Sequence, residues 1–383
     1  MEILPTNPTL TPFLAQQVKR IRVARTVWKN SGISRVELAS ALGLDKTTIS
    51  TIVNEFLELG ILEERDMGQA GPTGGRRPVS LALSRSLGLV AGIEIQPDVA
   101  RVVLVDLEGA ELARHSAIRN RDMAGTIDEM VKVAQALSAA RGSRLLGLGF
   151  GFSGVVDSAE GTLVSSIPLG VDEPLAVVAS VKERFGLQCT VENDARCCAW
   201  NVAAFGDERH AQDLVYALIE RRDCAEDCPP VGLGFSFVLG GRILRGRSSS
   251  AGEFRSVLWN GGNASQFSIP DAELARLDSD ASVKARLVDE IAIHIALFAD
   301  SLDLSAVYLG GDSRLADGDL ADAVRSAMRA NRPYRRVEDV AVVLDGSDVA
   351  VARGAASAFL ENLMGMPGSP DPGFDLLSVF PGD

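Results

Sequence analysis

The chain has 383 residues, 46% of them hydrophobic and 23% charged, with a net charge of −13 and five cysteines. That length predicts two or three domains. No apolar run approaches the roughly 20 residues that span a bilayer, and five cysteines in so long a chain predict reduced thiols rather than a disulfide framework. The charge is unevenly spread: residues 1–85 hold 11 Lys and Arg against 8 acidic residues, and the remainder 27 against 43. Such asymmetry hints at a nucleic-acid-binding module joined to an acidic body.

The first segment, MEILPTNPTLTP, carries three prolines and neither a basic region nor an apolar one, so it reads as a flexible arm without export features. From Gln16 to Lys29, Val18, Ile21, Ala24, Val27 and Trp28 recur at helical spacing. After Gly32, Ser34 and Glu37 form a capping-box pattern in front of Leu38, Ala39 and Leu42, and Gly43 ends that helix. Asp45 caps a third helix that Gly60 ends. Three short helices with a tight turn between the last two predict a helix-turn-helix.

The third helix divides cleanly. Ile49, Ile52, Val53, Phe56 and Leu57 share one face; Lys46, Thr47, Thr48, Ser50, Thr51 and Asn54 fall largely on the other. A small, polar face with a base near its N-terminus suits insertion into a major groove, where hydroxyl and amide groups reach base edges and phosphates; in isolation it would equally suit solvent. Leu62 and Val79–Leu83 then read as a hairpin whose connection is rich in Gly and Pro and contains GGRRP. Arg76 and Arg77 there are placed for a minor groove, whose negative potential attracts arginine. Helix-turn-helix, wing and paired arginines in that order predict binding to a double-stranded DNA operator.

From Leu87 the pattern changes. GLVAGIEI, RVVLVDLEG and ELARHSAIR read as three strands, followed by a helix at 126–140, a strand and glycine turn at LLGLGFGFSGVV, a strand at QCTVENDA, a helix at RCCAWNVAAFG, strands at DLVYALIE and GLGFSFVLGGRIL, and helices to the end. This alternation predicts an α/β body with mixed sheets and two lobes around a cleft. The last apolar helix covers 347–363, before a loose tail.

Together GGRRP, GLVAGIEI, LGLGFGFSGVVD, VENDA, GLGFSFVLGGRILRG, SAGEF and YLGGD resemble the ROK family (repressors, open reading frames, kinases), specifically its repressor branch. The resemblance runs from about residue 15 to residue 365. It implies a winged helix-turn-helix fused to an actin-like, sugar-kinase body, with the domains falling at 1–14 (arm), 15–85 (winged helix-turn-helix), 86–365 (two-lobed body) and 366–383 (tail). By resemblance, Asp194 stands where the kinases keep the general base that takes the sugar hydroxyl's proton. Asn193 and Glu253 stand where family members contact the sugar, and the turn with Gly151, Gly154 and Asp157 stands at the sugar site.

Other family positions depart. Where active kinases have an acidic residue followed by Gly-Gly-Thr, this chain has Glu94-Ile95-Gln96-Pro97-Asp98-Val99; the proline has no N–H to offer a phosphate. The second phosphate loop reads Pro230-Val231-Gly232. After Glu253 come Phe254, Arg255 and Ser256 in place of the zinc-ligating histidine, and the cysteine cluster is missing, so no tetrahedral zinc site is expected. Cys224 and Cys228 lack a second ligand pair, and His115, His210 and His294 are isolated. The expectation is a cytoplasmic homodimeric or homotetrameric transcriptional regulator, without cofactor or metal, whose degenerate kinase body senses a sugar or sugar phosphate or serves oligomerisation. The alternatives are an ATP-dependent sugar kinase with an accessory DNA-binding domain, and a ligand-independent DNA-binding protein.

Overall fold

The computed structural model describes residues 12–66, 79–120, 122–206, 212–222, 229–332 and 339–365. The winged helix-turn-helix opens with α1 (Pro12–Lys29), which begins inside the expected arm at 1–14, then β1 (Ile33–Ser34), α2 (Arg35–Leu42), α3 (Lys46–Glu58), β2 (Leu62–Asp66) and β3 (Val79–Leu83). The local signals act as read. Ser34 Oγ accepts from Glu37 N–H while Glu37 returns a carboxylate to Ser34 N–H at 2.8 Å, and Gly43 closes α2 in the left-handed region at φ 63°. Asp45 caps α3 by accepting from Thr48 N–H at 2.8 Å. β1 was not legible in the pattern: two residues pair with β3, so the wing sheet has three strands in the order β1-β3-β2.

The body repeats one topology twice. In the first lobe β4 (Leu89–Ile95), β5 (Val99–Val105) and β6 (Glu111–Ile118) form an antiparallel meander. After α4 (Met123–Ala139), β7 (Leu145–Phe152) returns parallel to β4. A small hairpin of β8 (Val155–Asp157) and β9 (Thr162–Ser165) precedes α5 (Val177–Phe185), β10 (Cys189–Asn193) and α6 (Asp194–Phe205). The sheet order is β10-β7-β4-β5-β6. In the second lobe β11 (Leu214–Arg221), β12 (Val231–Leu239) and β13 (Arg242–Ile243) form the meander. Then α7 (Asp271–Leu274), α8 (Ala281–Ser301), β14 (Ala306–Gly311), α9 (Gly318–Asn331), β15 (Ala341–Asp345) and α10 (Ala350–Leu363) complete the order β13-β12-β11-β14-β15. Each sheet therefore runs third-second-first-fourth-fifth in chain order, with its last two strands parallel to its first.

Strands buried on both faces read as continuous apolar runs, and every residue of β4 is buried. α4 and α5 cover the outer face of the first sheet, α8 and α9 that of the second. α6 and α10 lie between the sheets. Their small side chains permit this: a Cβ on Gly354 of α10 would collide with the carbonyl oxygen of Cys197 on α6. Among the described residues no helix is long and apolar enough to cross a membrane.

Candidate functional site

The polar outer face of α3 keeps Lys46, Thr47, Thr51 and Asn54 exposed, with Thr48 and Ser50 half-buried. Several of these groups are already engaged. Thr48 Oγ1 donates to Asp45 Oδ2 at 2.6 Å, bonds that hold the Asp45 carboxyl below its ordinary pKa. Thr51 Oγ1 donates to the Thr47 carbonyl at 3.0 Å, one turn back. Asn54 Oδ1 accepts from Arg35 Nη1 at 2.8 Å, while Arg35 Nη2 binds Glu64 of β2 at 3.0 Å. Arg35 thus ties the start of α2 to the recognition helix and the wing; sequence reading missed it because its partners lie 19 and 29 residues away. Arg76 and Arg77 fall outside the described residues.

In the body, Asn193 and Asp194 stand at the junction of β10 and α6, facing the second lobe. Asn193 is the cap of α6: its Oδ1 accepts from Arg196 N–H at 3.2 Å, and its Nδ2 donates to the Gly154 carbonyl at 3.0 Å. Gly154 itself sits at φ 124°, and a Cβ there would press on the Ser165 carbonyl and Ser166, so the turn admits only glycine. One amide therefore binds the glycine turn to the helix that carries Asp194.

Asp194 is 5% exposed. Burial, reinforced by the charge of Glu220, pushes its carboxyl up to about 8, against the pull of Ser153, Arg222 and the Ala195 N–H, which lies 2.8 Å from Oδ1. Around it, Arg222 Nη2 donates to Glu220 Oε2 at 2.7 Å and reaches Ser153 Oγ of the first lobe at 3.5 Å. The Arg222 guanidinium packs over the bare Cα of Gly232, where any Cβ would strike it. Glu94, buried and raised by that burial, is paired with Arg101 at 3.0 Å. The segment after Glu94 is a tight hairpin: Gln96 N–H donates to the Val99 carbonyl at 2.9 Å, and Arg119 takes the carbonyls of Pro97 and Asp98. Two of its carbonyls are thus bound by Arg119, and Pro97 has no N–H to offer.

A second cluster lies beneath. Glu192 is fully buried, which alone would raise its carboxyl, yet Arg196 and Arg245 hold it below the ordinary range. Arg196 Nε is 2.8 Å from Glu192 and Arg245 Nη2 3.1 Å, the latter reaching across from the second lobe; Ser158 adds 2.9 Å. Arg196 Nη2 also donates to the Val156 carbonyl at 3.1 Å. Glu253 lies at the rim: the residue is exposed, but enough protein surrounds its carboxyl to raise it, against the nearby Arg196. Sequence reading passed over Arg196 and Arg245, whose roles depend on a partner only the fold supplies.

Among the described residues no group of three or more His, Cys, Asp and Glu is placed to hold a metal; Cys224, Cys228 and His210 lie outside them. His294 is a buried brace. Its ring sits 2.7 Å from the Glu290 carbonyl at Nδ1, accepts from Val257 N–H at 3.1 Å at Nε2, and meets Phe254 edge-on.

Residues 90–258 match the ROK family, and residues 19–63 match a winged helix-turn-helix DNA-binding family. The chain carries a ROK family domain. It is 25% identical over 313 residues to the xylose repressor of Bacillus subtilis, covering 77% of each protein. It is 26% identical over 250 residues to the xylose repressor of Caldicellulosiruptor bescii, and 25% identical over 248 residues to the N-acetylglucosamine repressor of Escherichia coli. Each of those matches takes in 58% of the relative's length. Among solved structures, a ROK family transcriptional regulator described as a homolog of the E. coli MLC protein superposes with a TM-score of 0.71 at 19% identity, covering 96% of this chain and all of that one. A ROK family glucokinase from Streptomyces griseus, in complex with glucose and AMPPNP, superposes with a TM-score of 0.56 at 21% identity over 71% of this chain and 99% of its own. These likenesses establish the shared actin-like fold of the ROK domain and its junction to a winged helix-turn-helix.

Proposed function

We propose that the protein is a DNA-binding transcriptional repressor of carbohydrate metabolism, acting in the cytoplasm as a homodimer or homotetramer. One observation supports this above others: a capped helix with a polar outer face sits in a winged helix-turn-helix at the head of a ROK body, in a chain similar to proteins named as sugar repressors. Lys46, Thr47, Thr48, Ser50, Thr51 and Asn54 would read the major groove, and Arg76 and Arg77 the minor groove.

The body works as a sensor rather than a kinase in this reading. Phosphoryl transfer depends on positioning and electrostatic stabilisation. Here Arg222 occupies the space over Gly232, and Pro97-Asp98 forms a closed hairpin. A carboxyl held protonated near pH 7, like that of Asp194, is a poor acceptor for a sugar hydroxyl's proton and a good hydrogen-bond donor to a sugar oxygen. Gly154, Asn193, Asp194 and Glu253 would form that sugar or sugar-phosphate site, with Asn193 acting through the turn it holds. A ligand that prefers one lobe arrangement would shift the population of DNA-binding states.

Footprinting on DNA upstream of the protein's own gene, at several salt concentrations and with a panel of pentoses, hexoses, amino sugars and their phosphates, tests both halves. A protected operator whose occupancy falls with salt and with one of these sugars is expected. Absence of any protected site would sink the repressor reading. Turnover of ATP with a hexose in a coupled assay, lost in Asp194→Asn, would replace the sensor with a kinase.

A further inference from the structure

The last turn of α10 contains a residue that its own helix disfavours. Glu361 lies two residues from the end of α10, where the helix dipole repels a carboxylate. It is only 9% exposed. Its charge is met by two cations from α1, Arg25 at 2.6 Å and Lys29. Arg25 also donates to the Met364 carbonyl at 3.2 Å, at the C-cap of α10. These ionic contacts sit on a continuous apolar cluster in which Val23, Ala24, Val27 and Trp28 of α1 pack with Phe359, Leu360, Leu363 and Met364.

A second set of contacts fixes the rotation of α1. The turn after β5 is held by the winged helix-turn-helix on one side, through Trp28 Nε1 to the Leu107 carbonyl (2.7 Å), Ser31 to Glu108 (2.7 Å) and Arg65 of β2 to Glu108 (2.6 Å). On the other side Arg353 of α10 donates to the Gly109 carbonyl at 3.2 Å. α10 in turn lies against α6 with no room for a Cβ at Gly354, and α6 begins at Asn193 and Asp194. The DNA-reading unit, α10 and the first-lobe wall of the cleft are thus one mechanical piece.

Apolar side chains would fill the Glu361 site with less desolvation than three buried or half-buried charges, so the ion triad is not explained by stability alone. What it supplies is direction: a carboxylate bound by residues four apart on α1 admits a single angle and register between α1 and α10. We infer that Glu361 is a positioning residue for DNA recognition, fixing the orientation of the recognition helix relative to the body and hence the distance between the two half-sites that a dimer spans. This rests on the proposed reading of the chain as a dimeric DNA-binding protein.

The test starts with duplexes enriched from a random library by the full-length protein. The enriched site is then remade with one to four base pairs added to or removed from the spacer between half-sites, and binding is followed by fluorescence anisotropy. The wild-type protein is expected to lose at least ten-fold in affinity when the spacer changes by two base pairs. Glu361→Gln should keep its affinity for an isolated half-site and vary less than three-fold across the spacer series, and Glu361→Asp should recover part of the preference. Arg25→Gln, which leaves Lys29 on the carboxylate, guards against misfolding and should be intermediate. Hydrogen exchange without DNA should show α1 amides exchanging at least ten-fold faster in Glu361→Gln while β4 and β7 are unchanged. An unaltered spacer profile in Glu361→Gln, or an enriched site with a single half-site, would overturn the inference. Failure to enrich any duplex would instead remove the DNA-binding reading on which it stands.

Discussion

At the scale of single residues, Asp194 is the group whose surroundings change its chemistry most. Its folded-state pKa, about 8, lies above that of an unfolded aspartate at about 4. Below pH 4 both states hold the proton; between pH 4 and 8 only the unfolded chain ionises, so this residue makes the fold progressively less stable as pH rises through that window. Asp194→Asn removes the titration. Urea unfolding should find the variant more stable than wild type at pH 8, by up to about 5 kcal/mol at roughly 1.4 kcal/mol for each pH unit of that window, with the difference shrinking to nothing near pH 4. A difference independent of pH would refute the protonated state. The motif containing Asp194 was legible in VENDA. Its charge state was not, because that depends on Glu220 and Arg222 at the end of β11 and on Ser153 after β7, which two other segments deliver to one point.

At the scale of elements, the helix signals were the easiest part of the sequence to read, since a cap and the group it satisfies lie three residues apart. Ser34→Ala should cost about 1 kcal/mol of stability in a urea melt, because the Glu37 backbone N–H loses its partner. Lys46→Gln, by contrast, should leave stability unchanged, weaken binding across all operator sequences and reduce the salt slope by about one, as expected of a phosphate contact; a change confined to one base position would assign Lys46 to base reading instead. The middle of the molecule was harder to read. α6 and α10 look from sequence like ordinary apolar helices, and nothing local says that they lie face to face between two sheets. Gly354 is the residue that records this. Gly354→Ala should destabilise by at least about 2 kcal/mol in urea unfolding although alanine favours helix, since the added methyl must push the Cys197 backbone away.

At the scale of the whole molecule, the composition break near residue 85 separates two sequence styles but not two cores. Trp28, Leu38, Phe56 and Leu81 belong to the same apolar cluster as Val90, Val105, Leu146 and Phe359. A fragment ending at residue 85 should therefore lose helical circular dichroism or self-associate in gel filtration, whereas the intact chain should unfold the reader and the first lobe in one transition. An autonomous, monomeric, cooperatively folded fragment would contradict this. The boundary was visible in sequence because charge and periodicity change there; the shared core was hidden because its two halves are separated by as many as 331 residues, from Trp28 to Phe359, and each is locally complete. Glu361 did leave a local trace, a carboxylate in the wrong turn of its helix, but only a partner on α1 gives that anomaly a meaning.

The clamp between α1 and α10 also limits how such a protein can be rebuilt. Exchanging the first 85 residues for the reader of another regulator would leave Glu361 facing whatever that reader carries at positions 25 and 29, and the Leu107 carbonyl without an indole. A working chimera must transplant Arg25, Trp28 and Lys29 with the new recognition helix, or replace Glu361 with them. Under the proposed function, the winged helix-turn-helix and the body therefore form a matched pair, and new operator specificity would be more accessible through the exposed face of α3 than through exchange at the domain boundary.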